Sequence, residues 1–239
     1  MYRPILLSVF LVLTFSLPVQ ASEKDPWESL NRFTYTVNDY MDRYFLKPVA
    51  KGYTKVAPDF VEVGMLNFFD NLGEPLNILH GVLQGKLADA GSDSLRLVVN
   101  STVGILGFID IGSRIGLEKH DEDLGQTLGA WGIESGPYLV LPFFGPSTLR
   151  DAFGRIPDSY LSTRNQFVDH ERTRWELFFG NALVTRADLL DKEQLIAGDR
   201  YAFIRDAYLQ NREFKVKDGE TDASFLDDDF EDEFLFEEE

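Results

Sequence analysis

The sequence predicts an all-α body assembled from short amphipathic helices, and three observations carry that prediction. Apolar residues recur at helical spacing over several stretches. Clusters of Gly and Pro cut those stretches short. Strand signals are weak, with Tyr138 to Phe144 the only run of much β character.

The first segment reads as an export signal rather than as part of the fold. Arg3 gives a positive start, Ile5 to Leu17 is an apolar run of 13 residues, and Pro18 with Val19-Gln20-Ala21 supplies a break and a small-residue cleavage site. That run is too short to span a bilayer as a helix. Residues 1–21 are therefore expected to be a Sec signal peptide cleaved after Ala21.

Asp25-Pro26-Trp27-Glu28 has the composition of a helix start, with Asp25 as cap, Pro26 in the first turn and Glu28 able to reach back. Trp27, Leu30, Phe33, Val37, Tyr40, Met41 and Tyr44 follow at helical spacing, with Asn31, Arg32, Asn38, Asp39 and Asp42 between them. This predicts an amphipathic helix with an aromatic face, punctuated by Pro48 and Gly52 and continued briefly to Val56. A second helix is expected over Asp59 to Asn71, closed by the breaker cluster Asn71-Leu72-Gly73-Glu74-Pro75. A third follows over Glu74 to Gln84, and a fourth over Lys86 to Asn100.

Ser101 to Gly116 mixes Val103, Ile105, Leu106, Phe108, Ile109 and Ile111 with glycines, too short to cross a bilayer and too rich in Gly for a stable helix in water. Leu117 to Leu124 reads as a polar loop, and Asp158 to Phe167 as polar and turn-prone. Glu171 to Asn181, Ala187 to Leu195 and Arg200 to Phe214 complete the expected helices.

Gly125 to Asp151 stands apart. It is punctuated by Gly and Pro, otherwise largely apolar and aromatic, and free of His and Cys; its acids are Glu134 and Asp151 and its base is Arg150. Gly and Pro at this density oppose a regular helix. Apolar irregular backbone has to be buried or line a cavity, because its polar groups would otherwise go unsatisfied. The segment points to a shaped apolar passage or binding surface.

Charge is unevenly placed. Of the 40 acids, 12 fall in Asp218–Glu239 without a base, leaving 28 acids against 22 bases in residues 22–217. The body is thus only mildly acidic, and the last segment alternates acids with Phe225, Leu226, Phe230, Phe234, Leu235 and Phe236, a signature of disorder with a possible docking role. No basic stripe exists to neutralise phosphates, which disfavours nucleic-acid binding. The sequence contains no Cys, so disulfides cannot staple an exported fold and stability must come from burial.

Catalytic and metal constellations are sparse. His80, His120 and His170 lack zinc-ligand spacing, and His120-Asp121-Glu122-Asp123 lacks the spacing of a calcium loop. No metal and no cofactor is expected. Gly91-Ser92-Asp93-Ser94-Leu95 superficially resembles a hydrolase serine motif, but sits where Ser and Asp would cap a helix. The least unfavourable triad would join Ser94 to His120 and an acid. Pairs of glycines four apart, such as Gly125 and Gly129 or Gly132 and Gly136, suggest close backbone packing or turns.

Several blocks together resemble the MlaA/VacJ family of outer-membrane phospholipid-asymmetry proteins. They are residues 25–32 (DPWESLNR), 46–53 (LKPVAKGY), 67–72 (NFFDNL), 83–86 (LQGK), 100–104 (NSTVG) with 107–110 (GFID), 122–129 (EDLGQTLG) running through 136–138 (GPY) to 149–151 (LRD), 185–190 (TRADLL) and 201–212. The resemblance covers about 25–215 and leaves the acidic tail outside. With the signal peptide and tail read from composition, the chain is expected to have three parts: a signal peptide over 1–21, an MlaA/VacJ-like domain over 22–217 and an acidic tail over 218–239.

The resemblance implies a ring of short amphipathic helices around a central amphipathic channel, embedded in the inner leaflet of the outer membrane. It implies removal of mislocalised phospholipid from the outer leaflet, transfer to the periplasmic carrier MlaC, association with trimeric porins and no chemical reaction. The absence of Cys departs from the lipoprotein form of the family, so retention at the membrane would rest on the apolar rim and on porins. Gln126, Thr127, Leu128, Gly129, Gly132, Gly136, Pro137, Tyr138 and Arg150 are the candidates for the lipid channel. Trp27, Phe33, Tyr40, Ile105, Leu106 and Phe108 are the candidates for membrane-facing surface. A secreted lipid-acting hydrolase and a non-catalytic envelope scaffold are the alternatives.

Overall fold

A computed structural model describes residues 25–196 and 198–219 of the chain, so the expected signal peptide and nearly all of the acidic tail lie outside the described residues. Helix α1 (Glu28–Met41) runs through a π turn, Asp42–Leu46, straight into α2 (Lys47–Val56). Pro48 explains the π turn. It cannot donate to the carbonyl four residues back, and the Lys47 amide reaches the Asp42 carbonyl instead, which widens the turn at little cost.

The next 25 residues form one helix, α3 (Asp59–Leu83), where the sequence predicts a break at residues 71–75. Pro75 lies inside it. Contacts on both sides of the missing hydrogen bond hold the helix together. Asn71 donates to Ser101 Oγ and to the Leu106 carbonyl, while beyond Pro75 the Asn77 amide donates to the His120 carbonyl at 2.7 Å. Tertiary hydrogen bonds outweigh the local preference of Gly and Pro. A tight turn with Gly85 at positive φ reverses the chain, and α4 (Leu87–Thr102) packs back along α3, with Ala90 against Gly81. Ser92, Asp93 and Ser94 therefore sit within α4 rather than at its start, and Ser94 donates to the Ala90 carbonyl.

A turn over residues 103–110 leads to α5 (Ile111–Arg114), capped by Asp110, and a polar strap leads to α6 (Leu124–Ala130), capped by Asp123. The expected β character is realised as an antiparallel hairpin, β1 (Tyr138–Leu141) and β2 (Gly145–Thr148), with Tyr138 opposite Thr148. Thr148 caps α7 (Leu149–Leu161), so Asp158 to Leu161 is helical rather than turn. Then come α8 (Thr163–Phe167), α9 (Glu171–Asp188), a short 3₁₀ turn at Lys192–Leu195 and α10 (Arg200–Val216). Helix α9 packs on α2 and α3; α10 packs on α6 and on β2. The described residues are thus mostly helical with one small hairpin. Among the described residues no helix is long and apolar enough to cross a membrane.

The partition of side chains is the reverse of that in an ordinary globular domain. Buried polar and charged residues, among them Asp25, Asn31, His80, Asp93, Arg96 and Gln126, outnumber buried hydrophobic ones. The apolar core is small, with Tyr138, Val140 and Tyr201 at its centre. Large apolar side chains are spread over the outside, from Trp27 and Phe33 to Phe203 and Phe214. Asp25 shows the same inversion. It does not cap α1; it is fully buried and accepts from Asn31 at 2.8 Å and from the Tyr201 hydroxyl at 2.5 Å.

Candidate functional site

The outward aromatic face of α1 follows from what its other face must do. Asn31 and Asn38, seven residues apart, turn inward and bond β1 with their side-chain amides. Asn31 donates to the Tyr138 carbonyl at 3.0 Å and accepts from Val140 N–H at 2.9 Å. Asn38 donates to the Leu141 carbonyl at 2.9 Å and accepts from Phe143 N–H at 2.9 Å. With the polar stripe committed inward, Leu30, Phe33, Tyr40 and Tyr44 are left outside, Phe33 being 68% exposed, and Tyr40 stacks on Tyr44.

A second apolar outcrop is the turn after α4. Ile105 and Leu106 both adopt a left-handed backbone and both are 66% exposed. For a β-branched residue such as Ile105 that conformation is strained, and strain of this kind persists only where surroundings over-determine it. The amides of Leu106, Gly107 and Ile109 bond to the carbonyls of Ser101, Asn100 and Gly104, and Asn71 donates to the Leu106 carbonyl. Phe108 differs from its neighbours. It is half-buried, with its ring against the backbone of α3 at Gly64, where any Cβ would collide.

Between these outcrops, residues 123–151 are built on an internal polar frame. Thr127 is fully buried and sits 3.0 Å from His80 Nδ1; its hydroxyl also accepts from Gln84 at 3.2 Å. His80 in turn meets Asp158 at 2.9 Å. Gln126 is buried and donates to the Asp121 carbonyl at 2.8 Å. Arg212, from α10, forks onto Asp123 at 2.6 and 2.8 Å and reaches Asp151 at 2.9 Å, while Tyr208 donates to Asp151 at 2.8 Å. Burial alone would raise both carboxyls, but Arg212 outweighs it and holds Asp123 and Asp151 below the ordinary carboxylate range. Helices α6 and α7 meet with backbones nearly touching, because Gly154 faces Gly125; a Cβ at Gly154 would lie 2.8 Å from the Gly125 amide nitrogen.

The structure therefore gives the nine channel candidates distinct places. Gln126, Thr127, Tyr138 and Arg150 are buried: Gln126 and Thr127 bond within the protein, Tyr138 packs in the small core, and Arg150 donates to Asp151 and to the Ile133 carbonyl. Leu128, Gly129 and Pro137 are half-buried, and Gly132 and Gly136 are exposed at positive φ. The polar members act as struts behind the segment, and its open face is apolar, with Trp131, Ile133, Phe143 and Phe144 exposed.

A third polar cluster ties α3, α4 and α5. Arg96 donates to Asp110, to Ser113 and to the Leu117 carbonyl, and Asn100 bonds both Asp110 and the Gly112 amide. Asp110 is lowered to about 2: burial raises it, and hydrogen bonds from Ser113 and Asn100 with the Arg96 charge more than reverse that. Glu74 faces Arg96 at 3.7 Å yet is raised to about 7, because burial and Asp93 outweigh Arg96 and Lys119. The polar strap 117–123 is likewise engaged: His120 bonds Asp93, Lys215 pairs with Asp121 and Glu122 takes Lys86. Ser94 donates to the Ala90 carbonyl and His120 bonds Asp93, and among the described residues no hydrogen bond joins Ser94 to His120.

Sequence reasoning missed these struts, although a signal was present. Asn67, Asn71, Glu74 and Asn77 along α3, with Gln84 just past its end, recur at intervals that mark one face of a helix, as do Asp93, Arg96 and Asn100 on α4. A polar stripe at that period is compatible with a solvent face, and nothing local says that it turns inward.

Comparison with known proteins agrees with the arrangement. The family described as MlaA lipoprotein matches residues 23–215. The intermembrane phospholipid transport system lipoprotein MlaA of Haemophilus influenzae is 34% identical over 221 residues, covering 87% of each chain. The protein of that name from Escherichia coli K12 is 32% identical over 211 residues, covering 84% of this chain and 82% of the relative. A chain solved in work on the structural basis for maintenance of bacterial outer membrane lipid asymmetry superimposes with a TM-score of 0.69 at 31% identity, covering 80% of this chain and 98% of that one.

Proposed function

Because the chain belongs to the MlaA lipoprotein family, we propose that it lies in the inner leaflet of a bacterial outer membrane and withdraws mislocalised phospholipid from the outer leaflet. Its relatives' place in an intermembrane phospholipid transport system supports the lipid cargo. The observation that carries the reading is the inverted partition of side chains. Apolar faces of α1, of the turn at Ile105 and Leu106 and of the 131–144 segment are exposed, while charged groups are buried and paired. In water such a surface is unfavourable; against acyl chains it is the stable arrangement. No described helix is long and apolar enough to cross a bilayer, but amphipathic helices can lie in one leaflet.

Trp27, Phe33, Tyr40, Ile105 and Leu106 then face lipid. The segment 123–151 frames the passage: Leu128, Gly129, Gly132, Gly136 and Pro137 contribute to its wall, and Gln126, Thr127, Tyr138 and Arg150 hold that wall from behind. The cargo passes to a periplasmic carrier of the MlaC kind, and a trimeric porin steadies the protein in the membrane. No bond is made or broken. With no Cys in the sequence, the apolar rim and the porin replace a lipid-modified thiol as the means of retention.

The test is deletion of the gene followed by assay of phospholipid in the outer leaflet. Accumulation is expected on deletion, with restoration by the full chain and by the Ser94→Ala/His120→Ala double variant. Failure of that variant to restore asymmetry, with the protein present at normal level, would instead favour the hydrolase reading.

A further inference from the structure

An open crevice of about 120 Å³ lies between α3, α8 and α9. One wall is apolar, formed by Phe69, Leu72 and Leu76 with Leu177 opposite. The other carries Thr163 and Arg164. Arg164 is half-buried and makes no ion pair among the described residues; its guanidinium lies over the Phe178 ring, 5.1 Å from the centroid. Arg96, Arg150, Arg186 and Arg212, by contrast, each meet a carboxylate, and Arg155 and Arg174 donate to backbone carbonyls. The Thr163 hydroxyl is buried and has no hydrogen-bond partner. Burial accordingly pushes the Arg164 pKa down, with no acid to offset it.

A half-buried cation beside an unsatisfied hydroxyl and an apolar wall is an incomplete set of interactions. What completes it is an anion that carries apolar substance. We propose that this crevice binds the phosphate end of a phospholipid, with Arg164 and Thr163 donating to phosphate oxygens and the first carbons lying against Leu72, Leu76 and Leu177. Its volume is below that of a site enclosing a whole ligand. The acyl chains therefore leave it and run over the exposed rings of Trp175 and Phe179, which pack with Phe178. A free phosphate would gain nothing from the apolar wall, which favours the lipid as the source of the anion. The inference rests on the lipid-transport reading above and adds to it a holding site outside residues 123–151.

The test uses the full chain in detergent micelles, titrated by calorimetry with dihexanoyl phosphatidylglycerol, dihexanoylglycerol and inorganic phosphate. Arg164→Gln is expected to weaken phosphatidylglycerol binding roughly tenfold or more, the scale of one charge-assisted contact, and to leave dihexanoylglycerol binding unchanged. Arg164→Lys should recover part of the loss. Gly73→Leu fills the crevice mouth, where an added Cβ meets nothing within 4 Å, and should weaken both lipids without loss of fold. Equal phosphatidylglycerol affinity in Arg164→Gln and wild type overturns the proposal while leaving the transport reading intact. So does displacement of the lipid by inorganic phosphate at equal concentration. Absence of phospholipid binding by the wild-type chain would sink both.

Discussion

Asn31 holds the backbone of Tyr138 as a neighbouring strand would, donating to its carbonyl at 3.0 Å while accepting from the next amide but one, Val140, at 2.9 Å. A helix cannot pair with a strand through its own backbone, whose groups are used internally. Side-chain amides supply the missing edge, and Asn38 repeats the device one heptad on. Asn31→Ala leaves a buried carbonyl and a buried amide without partners, at about 1–3 kcal/mol for each unsatisfied group. We expect Asn31→Ala to lower the denaturation midpoint of the purified protein clearly, and Asn38→Ala less, because Asn38 is only half-buried. Equal and negligible shifts would show that the clamp is incidental.

Leu106→Gly separates strain from function. Glycine adopts the observed left-handed backbone freely, so stability should hold or rise by about 1 kcal/mol. Membrane association should fall, since an exposed leucine that enters lipid contributes about 1.5–3 kcal/mol. Vesicle flotation beside a melting curve reads both. Loss of stability together with unchanged flotation would refute the assignment.

The pH profile has two limbs of opposite origin. Asp110, Asp123 and Asp151 have depressed pKa values. Their stabilisation is present above the unfolded carboxylate range and is lost as pH falls through the folded values. Glu74 is raised from 4.5 to about 7 with Asp93, Arg96 and Lys119 around it. Its folded form binds more protons than the unfolded form across that window, so its contribution declines as pH rises from about 4.5 to about 7. His120, raised by Asp93 and Asp89 against the opposing pull of burial, acts in the same direction, stabilising below its unfolded pKa and fading as pH climbs through the folded one. Glu74→Gln should remove roughly 1–3 kcal/mol of this pH dependence. Denaturation midpoints between pH 4.5 and 8 check it; an unaltered slope in the variant would reject the role of Glu74.

Gly154→Ala should destabilise by roughly 1–3 kcal/mol or more, because the added carbon meets the backbone of Gly125, which cannot rotate away. Gly129→Val acts similarly, against Arg150 and Val216, each 2.8 Å from an added Cβ. Reduced lipid removal in a Gly129→Val strain should therefore accompany lower protein level on an immunoblot. Loss of transport at full level would instead identify Gly129 as wall alone.

Much of the fold could be read from the sequence, and the reasons for the misses are physical. Apolar periodicity located α1, α4 and α10, and the run at Tyr138 located the hairpin. Pro75 suggested two helices where there is one, because hydrogen bonds from Asn71 and Asn77 to distant segments hold it through the proline. Asp25 carried the signature of a cap but joined the interior through Tyr201, 176 residues away. The candidate segment Gly125 to Asp151 stood out by composition, whereas the partners that fix it in the fold, Arg212, His80 and Asp158, lie elsewhere in the chain without a local mark. Periodicity reveals two faces of a helix and leaves open which one turns inward; here the polar face does.

The scarcity of buried hydrophobic side chains also bears on heat. Unfolding an ordinary domain uncovers apolar surface and raises the heat capacity by about 12–15 cal/mol/K per residue. This protein already presents its apolar surface in the native state and buries polar groups such as Arg96, Asp93 and Asn31, whose exposure lowers the heat capacity. Its stability curve should be correspondingly shallow, with little fading on cooling, so that the same frame persists over a wide span of temperature.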